Sequence, residues 1–186
     1  MTKTVEFFYD FGSPTVYLAA TQLPAVADQA GAIIDWRPML LGGVFKSTGN
    51  QSPVVVPAKA AYMNVDLERF AERYGVPFRF NPYFPINTLA LMRGAVAYQD
   101  DPAVSSTYRD AIFTAIWVEA QNLNEPDVVK QVLSDARLDP AELVSRIGQQ
   151  AVKDRLIANT EEAVNRGAFG APTFFVGEQM FFGQDR

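Results

Sequence analysis

The order of strand and helix patterns at the two ends of the chain constrains the fold most. A β-branched and aromatic run at residues 4–9 predicts a buried strand. A helical pattern then extends from Pro14 to Gln29, and residues 33–37 predict a second strand. Strand, helix and strand over so short a distance predict a βαβ unit with parallel strands. Near the other end, Thr173–Val176 and Gln179–Phe182 predict a hairpin. The two ends are therefore expected to share one sheet.

The long middle of the chain is predicted to be helical. The spacing of its apolar residues predicts helices over 57–74, 88–99, 103–120, 125–136, 140–148 and 149–166. A helical run between a βαβ unit and a hairpin is typical of an insertion into an α/β domain. We expect a discontinuous α/β domain at 1–40 plus 150–186, and an all-helical insertion domain at 41–149.

Residues 40–56 differ from the helical segments around them. They contain turn formers such as Gly42-Gly43 and Ser52-Pro53. A loop of this length without secondary structure is uncommon unless it is functional. We therefore expect a loop here that borders a site.

The chain contains no Cys and no His. Disulfides, thiolate or imidazole metal sites, and Ser-His or Cys-His catalytic relays are therefore excluded. Any acid, base or nucleophile has to come from Asp, Glu, Lys, Tyr, Ser or Thr, or from a cofactor that brings its own reactive group. We expect no metal site.

Charge and hydropathy restrict the partners. The formal net charge is −5 and the basic residues do not cluster, which argues against nucleic acid and anionic membranes as partners. No stretch approaches the roughly 18 apolar residues of a membrane-spanning helix, and residues 1–12 lack the features of a signal peptide. A cytoplasmic location is the expectation.

Ser13 stands at the predicted start of the first helix, directly before Pro14. The simplest interpretation is an N-cap, since Ser and a following Pro commonly begin helices. A strand-to-helix junction also directs unpaired N–H groups and the positive end of the helix dipole at whatever lies above it. The functional alternative is that Ser13 donates a hydrogen bond to an anion there.

Three motifs together resemble one known family. They are FFYDFGSPTVYLA at 7–19, FGAPTFFV at 169–176 and FFGQDR at 181–186. In this order, and spread over the whole chain, they resemble the 2-hydroxychromene-2-carboxylate isomerases, which belong with the kappa-class glutathione transferases to the DsbA-like branch of the thioredoxin fold. The resemblance implies a thioredoxin-like domain of DsbA type with an all-helical insertion domain. Family members continue past the position of Arg186 into a further helix that covers the sheet.

The resemblance also implies an activity. Thiol-disulfide oxidoreductases of this fold carry Cys-x-x-Cys where this chain has Ser13-Pro14-Thr15-Val16, so the thiol has to be imported as glutathione. The implied reaction is a glutathione-dependent cis-trans isomerisation of 2-hydroxychromene-2-carboxylate, a small aromatic carboxylate, to trans-o-hydroxybenzylidenepyruvate in the catabolism of naphthalene-like aromatics. A kappa-type glutathione transferase is the alternative enzyme. A cysteine-less binding module of thioredoxin fold is a third alternative.

The resemblance assigns roles to several residues. Ser13 would donate a hydrogen bond to the glutathione sulfur. Pro172 would be cis, although the residues alone favour a trans proline that begins an edge strand, and the backbone of Ala171 would pair with the cysteinyl residue. Gln184, which stands where the isomerases more often have Asn, and Asp185 would hold the γ-glutamyl end.

The remaining assignments concern the glycyl carboxylate and the substrate. Asn50 and Lys59 match residues expected near the carboxylate; by themselves they are equally a turn Asn and a solvated helix Lys. An acidic aromatic substrate requires a cation and an apolar wall. The candidates for these are Phe45, Lys46, Tyr83, Phe84, Pro85 and Asn87. The aromatic residues among them are also compatible with an interdomain core. A homodimer is compatible with the sequence, which does not fix the oligomeric state.

Overall fold

The computed structural model describes residues 3–186, so Met1 and Thr2 of the first predicted domain segment lie outside it. The strands are Lys3–Tyr9 (β1), Ala32–Pro38 (β2), Thr173–Val176 (β3) and Gln179–Phe182 (β4), in the sheet order β2-β1-β3-β4. β1 and β2 are parallel, while the pairs β1–β3 and β3–β4 are antiparallel. The predicted βαβ unit and hairpin are confirmed, and both chain ends contribute to one sheet.

Eight helices lie within the described residues. They are Pro14–Gln29 (α1), Leu41–Thr48 (α2), Pro57–Tyr74 (α3), Leu89–Ala97 (α4), Pro102–Trp117 (α5), Pro126–Asp135 (α6), Pro140–Ile147 (α7) and Gln150–Asn165 (α8). Five of them begin with proline, whose missing N–H would have no intrahelical partner there. Each helix predicted from spacing is present. None of these eight has the combination of length and hydropathy that a bilayer crossing requires.

The prediction of a loop at 40–56 was wrong, because this segment contains α2 and a 3₁₀ turn at Pro53–Val55. A Cβ on Gly43 would lie 3.1 Å from Cγ2 of Thr160 on α8. Gly43 therefore allows α2 to pack closely on α8. Among the glycines at 40–56, only Gly49, which ends α2 with a φ of 74°, has the backbone conformation that favours glycine.

Buried side chains from both predicted domains form one hydrophobic cluster. Trp117 on α5 is fully buried in it, and its indole N–H donates a hydrogen bond of 2.8 Å to the carbonyl of Phe11. This bond ties the segment after β1 to the helical region. The division into 1–40 plus 150–186 and 41–149 stays a prediction.

An ion cluster attaches α8 to the sheet. The carboxylate of Glu6 on β1 accepts hydrogen bonds from Arg166 at 2.7 Å and from Arg37 at 3.3 Å. Glu162 on α8 pairs with both arginines, and the guanidinium of Arg166 lies 3.8 Å from the ring centroid of Phe175. The hydrogen bond from Arg166 lowers the pKa of Glu6, and burial opposes this effect.

Glu6→Gln is expected to lower the free energy of unfolding at neutral pH by about 1 kcal/mol. The folded-state pKa of Glu6 lies below its ordinary value of 4.5. The stabilisation by the carboxylate is therefore present above pH 4.5 and is lost as the pH falls through the folded-state pKa. When urea unfolding is measured at a series of pH values, the free energy of unfolding of E6Q should fall less steeply toward acid pH than that of wild type. The control E161Q, which changes an exposed carboxylate on α8, should keep the wild-type dependence of the free energy of unfolding on pH. The same dependence in E6Q as in wild type would contradict the prediction.

Candidate functional site

A cavity of about 360 Å³ lies at the N-terminal end of α1. Its walls come from the start of α1, from α2 and the 3₁₀ turn, from α3 and the segment after it, from the segment before β3, and from the end of β4 with the residues that follow. The volume lies within the range of small-molecule sites. Of the residues singled out in the sequence, the cavity brings together Ser13, Phe45, Asn50, Lys59, Phe84, Ala171, Pro172 and Gln184.

Ser13 caps α1 and faces the cavity. Its backbone is extended, and its Oγ accepts a hydrogen bond of 3.4 Å from the N–H of Val16. The side chain is almost fully buried, and Oγ lies 2.8 Å from Oγ1 of Thr15 and 3.4 Å from the carbonyl oxygen of Ala171. The cap uses only a lone pair of the hydroxyl, so the hydroxyl hydrogen can still be donated.

Ala171 and Pro172 lie opposite the start of α1. The peptide bond between them is cis, as the resemblance implied. The carbonyl oxygen of Ala171 accepts a hydrogen bond of 3.2 Å from Oγ1 of Thr15. A backbone acceptor is thus adjacent to the Ser13 hydroxyl, although the two residues are 158 positions apart in the chain.

Thr15 was missed in the sequence. It is half-buried, it lines the cavity, and its hydroxyl contacts both Ser13 and Ala171. The signal that could have indicated it is a second hydroxyl residue in the first turn of a helix that begins with an N-cap Ser.

Asp10 was missed as well, and it positions two walls of the cavity. It is buried, with an exposed fraction of 1%. Its Oδ1 accepts a hydrogen bond of 2.9 Å from the N–H of Gly12, just before Ser13, and its Oδ2 accepts one of 2.8 Å from the N–H of Leu41 at the start of α2. Burial raises the pKa of Asp10, and these two bonds, with the side chain of Thr88, oppose the rise.

Asp10→Asn is expected to lower the free energy of unfolding by about 1 to 3 kcal/mol. The amide keeps one acceptor oxygen but directs its NH₂ group at the second backbone N–H, which is then left unsatisfied. Urea unfolding at neutral pH measures the change. The matched control D28N alters an exposed Asp on α1 and should unfold like wild type. If D10N unfolds at the same urea concentration as wild type, the two hydrogen bonds do not contribute to the stability of the fold.

Asn50 and Lys59 also line the cavity. Nδ2 of Asn50 donates a hydrogen bond of 2.7 Å to the carbonyl of Phe169, and its Oδ1 accepts one of 2.9 Å from the N–H of Gln51. Asn50 thereby connects the end of α2 with the segment before β3. Lys59, at the start of α3, is exposed and is the only cation among the described residues that line the cavity.

The prediction was wrong for four of the pocket residues, because the structure places them outside this cavity. Lys46 lines a groove between α2, α4 and α8, since in a helix it points to a different face from Phe45. Asn87 lines another groove, beside α4 and α6, and its Oδ1 accepts a hydrogen bond from the N–H of Leu89. Tyr83 and Pro85 are exposed and do not line the cavity.

Gln184 and Asp185 lie at the boundary between two depressions. Gln184 lines the cavity, and its carbonyl accepts a hydrogen bond of 3.0 Å from the hydroxyl of Tyr74. Asp185 lines a neighbouring apolar groove of about 470 Å³, together with Leu23 and Phe181 among others. That groove is larger than the cavity, but Ser13 and Lys59 do not line it, so the cavity remains the candidate site.

The cavity can stabilise a negative charge beside an apolar surface. The hydroxyl of Ser13 and the N-terminus of α1 favour an anion beside Ser13, and the ammonium of Lys59 favours one beside Lys59. The rings of Phe45 and Phe84 add an apolar surface to the lining. A ligand with an anionic centre, a carboxylate and an apolar part matches this arrangement.

Comparison with known proteins gives concordant matches. The family model described as a DSBA-like thioredoxin domain matches residues 4–186. The chain is 32% identical to a 2-hydroxychromene-2-carboxylate isomerase of Sphingobium xenophagum, over 100% of this chain and 95% of that protein. It is 28% identical to glutathione S-transferase kappa 1 of Homo sapiens, over 100% of this chain and 88% of that protein. A solved 2-hydroxychromene-2-carboxylate isomerase superposes with a TM-score of 0.87 at 29% identity, covering 98% of this chain and 90% of that one.

Proposed function

Because this chain belongs to the DSBA-like thioredoxin domain family and, within it, to the 2-hydroxychromene-2-carboxylate isomerases, we propose that it is a glutathione-dependent cis-trans isomerase. The proposed reaction interconverts 2-hydroxychromene-2-carboxylate and trans-o-hydroxybenzylidenepyruvate in the catabolism of naphthalene-like aromatics, with the enzyme in the cytoplasm. The observation that carries the proposal is the pairing of the Ser13 hydroxyl with the Ala171 carbonyl in one cavity, in a chain that has no Cys.

The residues of the cavity and of the adjoining groove include donors and acceptors that would suit glutathione. The carbonyl of Ala171 would accept the N–H of the cysteinyl residue, and the ammonium of Lys59, beside Asn50, would pair with the glycyl carboxylate. Gln184 would hold the γ-glutamyl end. Asp185 would meet the γ-glutamyl ammonium from the adjoining groove.

When bound, glutathione would supply a sulfur nucleophile that adds reversibly to the conjugated substrate and leaves after rotation about the former double bond. Ser13 would stabilise the negative charge on that sulfur by donating its hydroxyl hydrogen, and the N-terminus of α1 would add its dipole. Lowering the pKa of a thiol from about 8.5 to neutrality requires roughly 2 kcal/mol, which a charge-assisted hydrogen bond and a helix terminus together can supply. Both act on a charged sulfur more than on a thioether, so they favour departure as well as attack.

Ser13→Ala should reduce turnover at neutral pH, because the donor to the sulfur is lost and a smaller fraction of bound glutathione is ionised. The free energy of unfolding should fall by about 1 kcal/mol with the lost cap, and turnover should recover as the pH is raised. Turnover against pH, together with the ultraviolet absorbance of the thiolate, measures the effect. The control S47A changes an exposed residue of α2 that lines the groove of Lys46 and not the cavity, and it should behave as wild type. Unchanged turnover of S13A at neutral pH would mean that Ser13 is only a cap.

A kappa-type glutathione transferase is the second candidate, favoured by the 28% identity to human glutathione S-transferase kappa 1. The same sulfur site would serve both reactions. They differ in the fate of glutathione, since an isomerase releases it and a transferase consumes it.

Stoichiometry separates the two enzymes. With glutathione at about a hundredth of the substrate concentration, we expect all the substrate to reach equilibrium, because the interactions at Ser13 also favour departure of the sulfur. Substrate absorbance and the mass of the products give the measurement, and a reaction without protein gives the background rate. Consumption of glutathione one for one with substrate would establish the transferase. If there is no turnover above background, the remaining alternative is the cysteine-less binding module of thioredoxin fold.

A further inference from the structure

We propose that Thr15 is a positioning residue that directs the Ser13 hydroxyl toward a bound sulfur, and that it does so by exchanging its hydrogen-bond acceptor. This inference rests on the proposed function, because the sulfur is that of glutathione. The observation behind it is a compact group of three oxygens: Ser13 Oγ to Thr15 Oγ1 at 2.8 Å, Thr15 Oγ1 to Ala171 O at 3.2 Å, and Ser13 Oγ to Ala171 O at 3.4 Å.

The number of hydrogens in this group limits its arrangements. Each hydroxyl has one hydrogen to donate, whereas the carbonyl of Ala171 can only accept. The shortest distances are satisfied when Ser13 donates to Thr15 and Thr15 donates to Ala171. In that arrangement the hydroxyl hydrogen of Ser13 points at Thr15, so it is not directed at a sulfur.

A bound thiolate would reverse the bond between Ser13 and Thr15 and would break the bond from Thr15 to Ala171. Ser13 would donate to the sulfur, and its Oγ would then accept the hydrogen of Thr15 across the 2.8 Å contact. The same rotation of the Thr15 hydroxyl would release the carbonyl of Ala171, which could accept the cysteinyl N–H. One threonine would thus link recognition of the sulfur charge to recognition of the ligand backbone.

The hydroxyl of Thr15 can be removed with little change in the shape of the side chain. It is half-buried in the first turn of α1, and its side chain lines the cavity beside Ser13. Valine has nearly the same shape but no hydroxyl, so Thr15→Val removes the donor while preserving packing. Thr15→Ser retains the hydroxyl and loses only the methyl group.

The test compares a ligand that ionises with one that cannot. In T15V, affinity for glutathione at neutral pH should fall about fivefold, as expected for the loss of one neutral hydrogen bond, and the pKa of the bound thiol should rise. Affinity for S-methylglutathione should not fall, because its sulfur carries no charge and the Ala171 carbonyl no longer has Thr15 as a competing donor. Isothermal titration calorimetry and the thiolate absorbance of bound glutathione against pH give both quantities without turnover.

Controls separate this effect from a structural one. T15S should recover the glutathione affinity and the thiol pKa of wild type. T107V, which removes an exposed threonine hydroxyl on α5 that also donates to a backbone carbonyl, should match wild type with both ligands. Equal loss of both ligands in T15V, or an unchanged thiol pKa, would overturn the role of Thr15 while the proposed function stands. Wild-type protein that binds neither ligand would overturn both.

Discussion

The carboxylate of Asp10 and the indole of Trp117 hold the junction between β1 and α1 from two sides. Asp10 accepts the N–H groups of Gly12 and Leu41, and Trp117 donates to the carbonyl of Phe11. Buried polar groups of this kind are costly when unpaired. The start of α1 is therefore fixed relative to α2 and α5, and the position of the cavity follows from these three bonds.

Much of the fold could be predicted from the sequence because the local signals agree with the tertiary structure. Proline at the start of a helix, apolar residues at helical spacing and the two residues between β3 and β4, Gly177 and Glu178, act over short distances, and the helices and the hairpin followed from them. α2 could not be predicted in the same way. Gly43 indicates a turn locally, and its actual role, close packing on Thr160, depends on a helix more than a hundred positions away.

The residues of the site also divide into those with a local sequence signal and those whose roles depend on distant contacts. The start of a helix indicated Ser13 locally, whereas its pairing with Ala171 came from the resemblance to a family, since no local pattern places residues so far apart in sequence beside one another. Asp10 carries no pattern of its own, and Thr15 carries only that of a second hydroxyl residue in the first turn of a helix, because their roles consist of contacts with α2 and with the segment before β3. Lys46 was placed wrongly because its direction depends on whether its segment is a helix or a loop.

The charges of the cavity determine how a substrate can be oriented in it. Lys59 is the only cation among its described lining residues, whereas the proposed cofactor brings two carboxylates and the proposed substrate brings one. If Lys59 pairs with the glycyl carboxylate, the substrate carboxylate has no cationic side chain in the cavity and is best stabilised by water at the mouth. The aromatic part would then lie against Phe45 and Phe84. Selection among aromatic acids would depend on the shape of that wall, and a neutral electrophile of similar shape would bind there without an electrostatic penalty.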